Sequence, residues 1–206
     1  GMLLHLGMSG HISLQESMTR REKHTHAIFQ FGSKTFLHFV DPRRFGCILW
    51  VPQSGEHHLL DKMGPDPFSP ETNAAALKSL ARNCRSPIKT FIMDSKRIAG
   101  IGNIYACESL YQAEINPGKK AGRVTLAEWH RLIFSVRSTL ENSISVGGTS
   151  LRDFFDPSGA RGYYTLKLSV YGKEGEPCLK CKTPISRRIH AGRSTFFCKI
   201  CQPGHA

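Results

Sequence analysis

Cys178-Leu-Lys-Cys181 and, sixteen residues further on, Cys198-Lys-Ile-Cys201 frame the stretch that decides the fold, CLKCKTPISRRIHAGRSTFFCKIC. Each Cys-x-x-Cys turns tightly enough to aim two sulfurs at one point, and two such knuckles on facing strands close a tetrahedron around Zn²⁺. The runs Pro184–His190 and Ser194–Cys198 predict the two strands of a hairpin that brings the knuckles together. Four thiolates leave no open coordination position, so the expectation is one structural zinc held by Cys178, Cys181, Cys198 and Cys201. A module of about 40 residues has too little core to fold alone, so the metal should supply much of its folding free energy.

The hairpin is also basic. Residues 165–205 carry eight Lys or Arg and two Glu, a net charge of +6, which is half of the +12 carried by all 206 residues. Clustered cations gain free energy by releasing counterions from a phosphate backbone, so a nucleic-acid partner is expected and Arg187, Arg188 and Arg193 are candidate contacts. The remaining cysteines, Cys47, Cys84 and Cys107, are scattered in apolar surroundings and read as small buried hydrophobes. An odd total of seven argues against a secreted disulfide framework. With no apolar run of membrane-spanning length, a soluble cytosolic protein without a membrane partner is expected.

Upstream of the cysteines the chain divides in two. Residues 1–52 read as β: Leu3–Leu6, His11–Leu14, Ala27–Phe31, Thr35–Val40 and Cys47–Val51 are short β-branched or aromatic runs, with Gly32-Ser33 as a hairpin turn, and they predict a sandwich or half-barrel. Residues 53–70, with Pro65, Pro67 and Pro70, form a linker. From residue 71 the pattern is helical. Ser86-Pro87 predicts a cap and a helix running to about Ser95, and a second helix is expected from about Asn103 to Ala113. Thr125 and Glu128 form a capping box for a third, with Leu126, Trp129, Ile133, Val136, Leu140 and Ile144 on one face. Between the first two helices, Gly100-Ile-Gly102 precedes a helix N-terminus with Lys96 and Arg97 nearby. That arrangement suits a phosphate, and it equally suits a plain helix–turn–helix connection.

Together these motifs resemble the formamidopyrimidine-DNA glycosylase family, bacterial repair enzymes that excise 8-oxoguanine and ring-opened purines. The matching stretches are His5-Leu-Gly-Met-Ser-Gly10, Lys23-His-Thr-His26, Asp41-Pro-Arg-Arg-Phe-Gly46, Ile88-Lys89, Gly100-Ile-Gly-Asn-Ile-Tyr105, Gly147-Gly-Thr-Ser-Leu-Arg-Asp-Phe154, Val170-Tyr-Gly172 and Gly192-Arg-Ser-Thr-Phe-Phe-Cys198. The resemblance implies an α+β multidomain fold: a partial N-terminal β-sandwich (1–52), a helix–two-turns–helix domain with a lesion-recognition loop (71–164), and a C-terminal zinc-finger β-hairpin (165–206). It implies double-stranded DNA with a damaged or abasic site as partner, held between the two halves, and a bacterial, nucleoid-associated location. Met8, Arg43 and Phe45 match the side chains that fill the gap left by an everted base. His24, Arg85, Lys89 and Asn103 match DNA-backbone contacts, and Arg193 matches the arginine of phosphate binding and the late elimination step.

One departure changes the expected activity. The family pattern opens with a proline nucleophile and a glutamate, with a further lysine before the stretch matched here, whereas this sequence opens Gly1-Met2-Leu3-Leu4-His5. The expectation is therefore a lesion-binding homologue inactive as a glycosylase, read as a shortened gene product. A non-catalytic zinc-dependent DNA-binding module is the alternative. The Gly1 amine, seven residues before Met8 at a strand edge, is poorly placed to replace the proline. Unpaired β edges in residues 1–52 are expected to favour self-association. A zinc-dependent RNA-binding or ribosomal protein fits the charge and the cysteines but not Asp41–Gly46 or residues 147–154.

Overall fold

The computed structural model describes residues 1–7, 9–18, 21–55, 57–145 and 168–204. Two compact units divide between Asp61 and Lys62; the first contains Gly1–Asp61, and the second contains Lys62–Asn142 together with the C-terminal segment from Leu168.

Among the described residues, Gly1–Asp61 of the first unit form strands and turns without a helix. Strand β1 (Met2–His5) pairs antiparallel with β5 (Cys47–Trp50). A three-stranded sheet places β4 (Thr35–Val40) between β2 (His11–Gln15) and β3 (Thr25–Phe31). As the central strand β4 is the most buried, with Phe36, His38, Phe39 and Val40 inside. The β3–β4 hairpin turns at Gly32, whose φ of +65° is cheap only for glycine. Met2, Leu14, Phe31 and Trp50 are exposed along these strands, Trp50 at 78%.

Among the described residues the second unit is built on four α-helices: α1 (Ala74–Leu80), α2 (Ile88–Ile92), α3 (Asn103–Gln112) and α4 (Leu126–Ser145), the last belonging to it as far as Asn142. Helix α1 has no counterpart in the sequence reading beyond the general helical pattern; Asn73 caps it, its side chain accepting from Ala76 N at 3.0 Å. Helix α2 ends at Ile92 rather than Ser95, and its cap position is Pro87. Ser86 is used differently from the expected cap: its carbonyl accepts from Ala121 N and its hydroxyl lies 3.0 Å from Cys84 Sγ. Ile88, Phe91, Ile92, Leu110, Trp129 and Leu132 form the centre of the helical core, with the Phe91 and Trp129 rings edge-on at 5.6 Å. Along α4, Trp129, Ile133 and Val136 face this core as expected, but Leu126 and Ile144 are exposed and Leu132 takes a core place instead.

A second, smaller core joins the cysteine hairpin to the helices. Cys107 and Tyr111 of α3 pack with Val170, Cys178, Ile185 and Cys198. The hairpin itself is β6 (Ser186–His190) against β7 (Arg193–Phe197). The carbonyls of Pro67, Ser69 and Thr72 are gripped by the Arg137 guanidinium at 2.8–3.3 Å, which fixes the end of the proline-rich stretch onto α4. No described helix is long and apolar enough to cross a membrane.

The capping box that opens α4 is formed: Glu128 N donates to Thr125 Oγ1, Thr125 N donates to Glu128 Oε2, and Lys119 Nζ lies 2.6 Å from Glu128 Oε1. Burial tends to raise the Glu128 carboxyl's pKa, but Lys119 and Thr125 outweigh it and hold the group below the usual value. A depressed carboxylate contributes fully above its unfolded pKa, about 4.3, and its contribution fades as pH falls through the folded value. Glu128→Gln should therefore cost about 1–2 kcal/mol at pH 7, with the two proteins converging in acid; parallel denaturant titrations at pH 7 and pH 3 measure this.

Candidate nucleic-acid interface and metal centre

The four sulfurs of Cys178, Cys181, Cys198 and Cys201 all lie within 4.8 Å of one another, with Cys178–Cys201 at 3.8 Å and Cys181–Cys198 at 3.4 Å. A tetrahedron of thiolates 2.3 Å from a central zinc has edges of about 3.8 Å, so the donor set fits the ion. The crowded thiols also pull one another apart in acidity, Cys178 and Cys181 shifted down and Cys198 and Cys201 up. Burial would raise Cys178, but the Tyr111 hydroxyl and backbone amides lower it to about 6. Burial and then the neighbouring thiols hold Cys201 well above the ordinary thiol value. A divalent cation relieves that conflict. Tyr111 Oη, 3.2 Å from Cys178 Sγ, ties the cluster to α3.

Two residues outside the sequence-derived set anchor this knuckle. Glu108, 1% exposed on α3, accepts from the backbone N–H groups of Ser169, Val170 and Tyr171 at 2.8–2.9 Å. Gln202, fully buried, accepts from Cys198 N and donates to Ile115 O. The signal for Glu108 was a lone acid in the otherwise uncharged run Ala106–Tyr111; Gln202, next to the last cysteine, carried none.

The hairpin tip meets the starts of α2 and α3. Asn103 Nδ2 donates to Ser194 O at 3.1 Å and to Tyr171 Oη at 3.3 Å, while its Oδ1 is buried without a partner. Gly100, with φ +75°, makes the turn before α3, and no side chain caps the helix at Gly102. At α2 the first N–H groups are already taken by the carbonyls of Lys119 and Pro117. Lys89, expected among the backbone contacts, is instead 1% exposed. Its ammonium donates to Ser194 O at 3.0 Å and to Thr195 Oγ1 at 2.8 Å, so it holds the hairpin in place. Lys89, His190 and the exposed Arg193 line one cavity of about 370 Å³. Burial lowers the pKa of Lys89 and Arg193 adds to that; burial, then Lys89 and Arg188, lowers His190. Burial is the main cause of both shifts, and the neighbouring cations add to it. Arg85 is exposed ahead of α2.

On the first unit, the loop after β1 abuts the Asp41–Gly46 loop. A Cβ on Gly7 would lie 2.9 Å from Phe45 backbone, and one on Gly46 would lie 2.6 Å from His5 O and 2.8 Å from the Phe39 ring. Asp41, 1% exposed, accepts from Gly46 N at 2.6 Å, and its carbonyl lies 2.9 Å from His26 Nε2. The effect is to push the tip of the loop outward: Arg44 has φ +57°, Phe45 is 56% exposed, and the Arg43 guanidinium sits 4.9 Å over its ring. His24 is exposed with φ +70°, its carbonyl accepting from Asp41 N. Met8 and the 149–164 loop lie outside the described residues. Of the scattered cysteines, Cys107 is buried as expected, whereas Cys47 and Cys84 are partly exposed.

Three family models match in order along the chain: the formamidopyrimidine-DNA glycosylase N-terminal domain over residues 1–48, its H2TH domain over 63–155, and the zinc finger found in FPG and IleRS over 175–204. The formamidopyrimidine-DNA glycosylase of Acidithiobacillus ferrooxidans is 44% identical over 201 residues, which cover 98% of this chain and 74% of that protein. That of Methylobacillus flagellatus is 46% identical over 204 residues, covering 98% and 73%. Among solved structures, MutM (Fpg) of Thermus thermophilus superposes with a TM-score of 0.86 at 34% identity, over 100% of this chain and 76% of that one. Lactococcus lactis Fpg in complex with abasic-site DNA gives 0.87 at 32%, over 98% and 75%. With these domains in order and this identity over nearly all of its length, the chain belongs to the formamidopyrimidine-DNA glycosylase family.

Proposed function

We propose that this chain binds double-stranded DNA at oxidised-purine or abasic sites as a base-excision-repair glycosylase and AP-lyase homologue, in the bacterial cytoplasm at the nucleoid. The observation that carries the reading is the exposed Arg43–Phe45 pair, pushed out by two glycine-tight loops. Chemistry on a base requires it to leave the stack, and a planar cation beside an aromatic wedge suits the vacated space. Met8 completes that trio in this reading. His24, Arg85, Asn103 and Arg193 supply phosphate contacts, and Lys89 positions the hairpin.

Fluorescence anisotropy with matched duplexes reads the proposal. Wild-type protein should prefer an abasic-analogue or 8-oxoguanine duplex over an intact one. Phe45→Ala should reduce that preference about tenfold or more while leaving intact-duplex binding near wild type. Equal affinity for all three duplexes rejects the lesion reading. Borohydride trapping on abasic-site DNA then separates lyase chemistry, which leaves a covalent adduct, from the DNA-binding module, which binds without one.

One zinc per chain is part of the proposal. Native mass spectrometry should show a single zinc, and a strong chelator should lower the unfolding midpoint and abolish DNA binding together, since structural zinc contributes about 10–16 kcal/mol in small modules. A folded, DNA-binding protein free of metal rejects the assignment.

We further infer self-association through the strand edges. Each of β1 and β5 pairs only with the other among the described residues, and Met2 and Trp50 are exposed on them. Sedimentation should show reversible association that Trp50→Lys weakens; a monomer at all concentrations excludes it.

A further inference from the structure

The second unit carries a basic surface that none of the lesion contacts uses, Arg85 at its end excepted. The segment between α3 and α4 and the inner face of the hairpin bound a cavity of about 450 Å³ whose lining includes Lys119, Lys120, Arg123, Arg188 and Lys199. A second, wider concavity of about 510 Å³ shares Lys120 and Arg123 with it and adds Arg85. The two therefore form one strip, running from Arg85 through Lys120 and Arg123 to Arg188 and Lys199. Neither concavity shares a residue with the cavity lined by Lys89, His190 and Arg193.

Charge on this strip is left uncompensated. Lys119 is neutralised by Glu128 at 2.6 Å. The other five cations are exposed, none of them forms an ion pair with an acid among the described residues, and no acidic side chain lines either concavity. Holding five like charges together costs stability through self-repulsion, which a polyanion would offset.

The backbone beneath them is fixed before any ligand arrives. Ile88 N donates to Lys119 O at 2.7 Å, Ala121 N to Ser86 O at 2.9 Å and Gly122 N to Cys84 O at 3.0 Å. A Cβ on Gly122 would meet the Cys84 and Ala81 carbonyls at 3.0–3.1 Å, so the turn carrying Lys120 and Arg123 sits tightly on the end of α1. Arg188 lies 5.7 Å over the Phe197 ring, which steadies its planar donor fork. Several cations on a rigid, elongated and open surface match a polymer with repeating charges better than a single small anion, which would need convergent donors in an enclosed site.

We propose that this strip is a second nucleic-acid backbone track, taking the phosphodiester oxygens of a duplex arm beyond the stretch gripped at the lesion. It rests on the DNA-binding reading above, and the test separates the two. Wild type and Lys120→Gln/Arg123→Gln/Arg188→Gln are compared on lesion-containing and intact duplexes of about one and about three helical turns, ~10 and ~30 base pairs. Equal unfolding midpoints and zinc content establish that the variant is folded.

On the long duplexes the variant's slope of log affinity against log salt should fall by about 3, about one per cation removed, with the ratio of lesion to intact affinity unchanged. On the short duplexes the slope should stay at the wild-type value. An unchanged slope on the long duplexes overturns the track. So does a variant that loses stabilisation by inorganic pyrophosphate while its DNA slopes stay put, because the strip then serves a small free anion. If wild type shows no lesion preference but the variant still loses slope on long intact duplexes, the lesion reading fails and the track stands.

Discussion

From Ala106 to Tyr111 helix α3 has no side open to water. Ala106 and Leu110 belong to the helical core, while Cys107 and Tyr111 belong to the core beneath the cysteine knuckles. A helix buried all round is largely apolar, and a charged group on it needs partners. Glu108 meets that condition by accepting three backbone N–H groups from the segment that leads into the knuckles. The same helix then presents its uncapped N-terminus and Asn103 at the hairpin tip. One element thus fixes the cysteine module at its middle and, through Asn103, the hairpin tip at its start. Displacing the knuckles would strand the Glu108 carboxyl in apolar surroundings, a cost that couples metal, hairpin and interface.

What the sequence made legible was whatever depends on local spacing. The Cys-x-x-Cys knuckles, the Thr125–Glu128 box and the Gly32 turn are satisfied within a few residues, and each stands as the pattern implied. The strands were found within a residue or two because alternation is a local property. Illegible features depend on partners far along the chain. Lys89 reads as a surface cation until Thr195, 106 residues away, is seen to receive its ammonium. Ser86 looks like a cap, yet its carbonyl is spent on Ala121 and the cap position passes to Pro87. Ile144 continues an apolar stripe, but the helix carries it past its core and leaves it 69% exposed.

The cations sort by environment into distinct jobs. Lys89 is buried and positions; Arg137 grips carbonyls; Lys119 closes a capping box. These contribute to structure, and their charge is largely cancelled or enclosed. Arg43, Arg85 and Arg193 remain exposed, so the net charge of +12 understates how selectively positive potential is placed. The proposed grip on DNA rests on few residues, each held by a backbone that cannot relax.

That last condition explains the glycines. Gly7 and Gly46 leave no room for a Cβ, because the two loops of the first unit press against each other there. Close approach is what forces Phe45 outward against the hydrophobic preference that would bury it, at a cost of about 1.5–3 kcal/mol for a large apolar side chain. Arg43 stacking recovers a part of that, about 0.5–1 kcal/mol at an exposed site. The remainder is burial free energy left unrealised in the free protein and gained when the ring finds an apolar slot. A gap between unstacked base pairs is such a slot, and an intact stack offers none, so the proposed preference for a lesion rests on loop geometry rather than on reading a base edge.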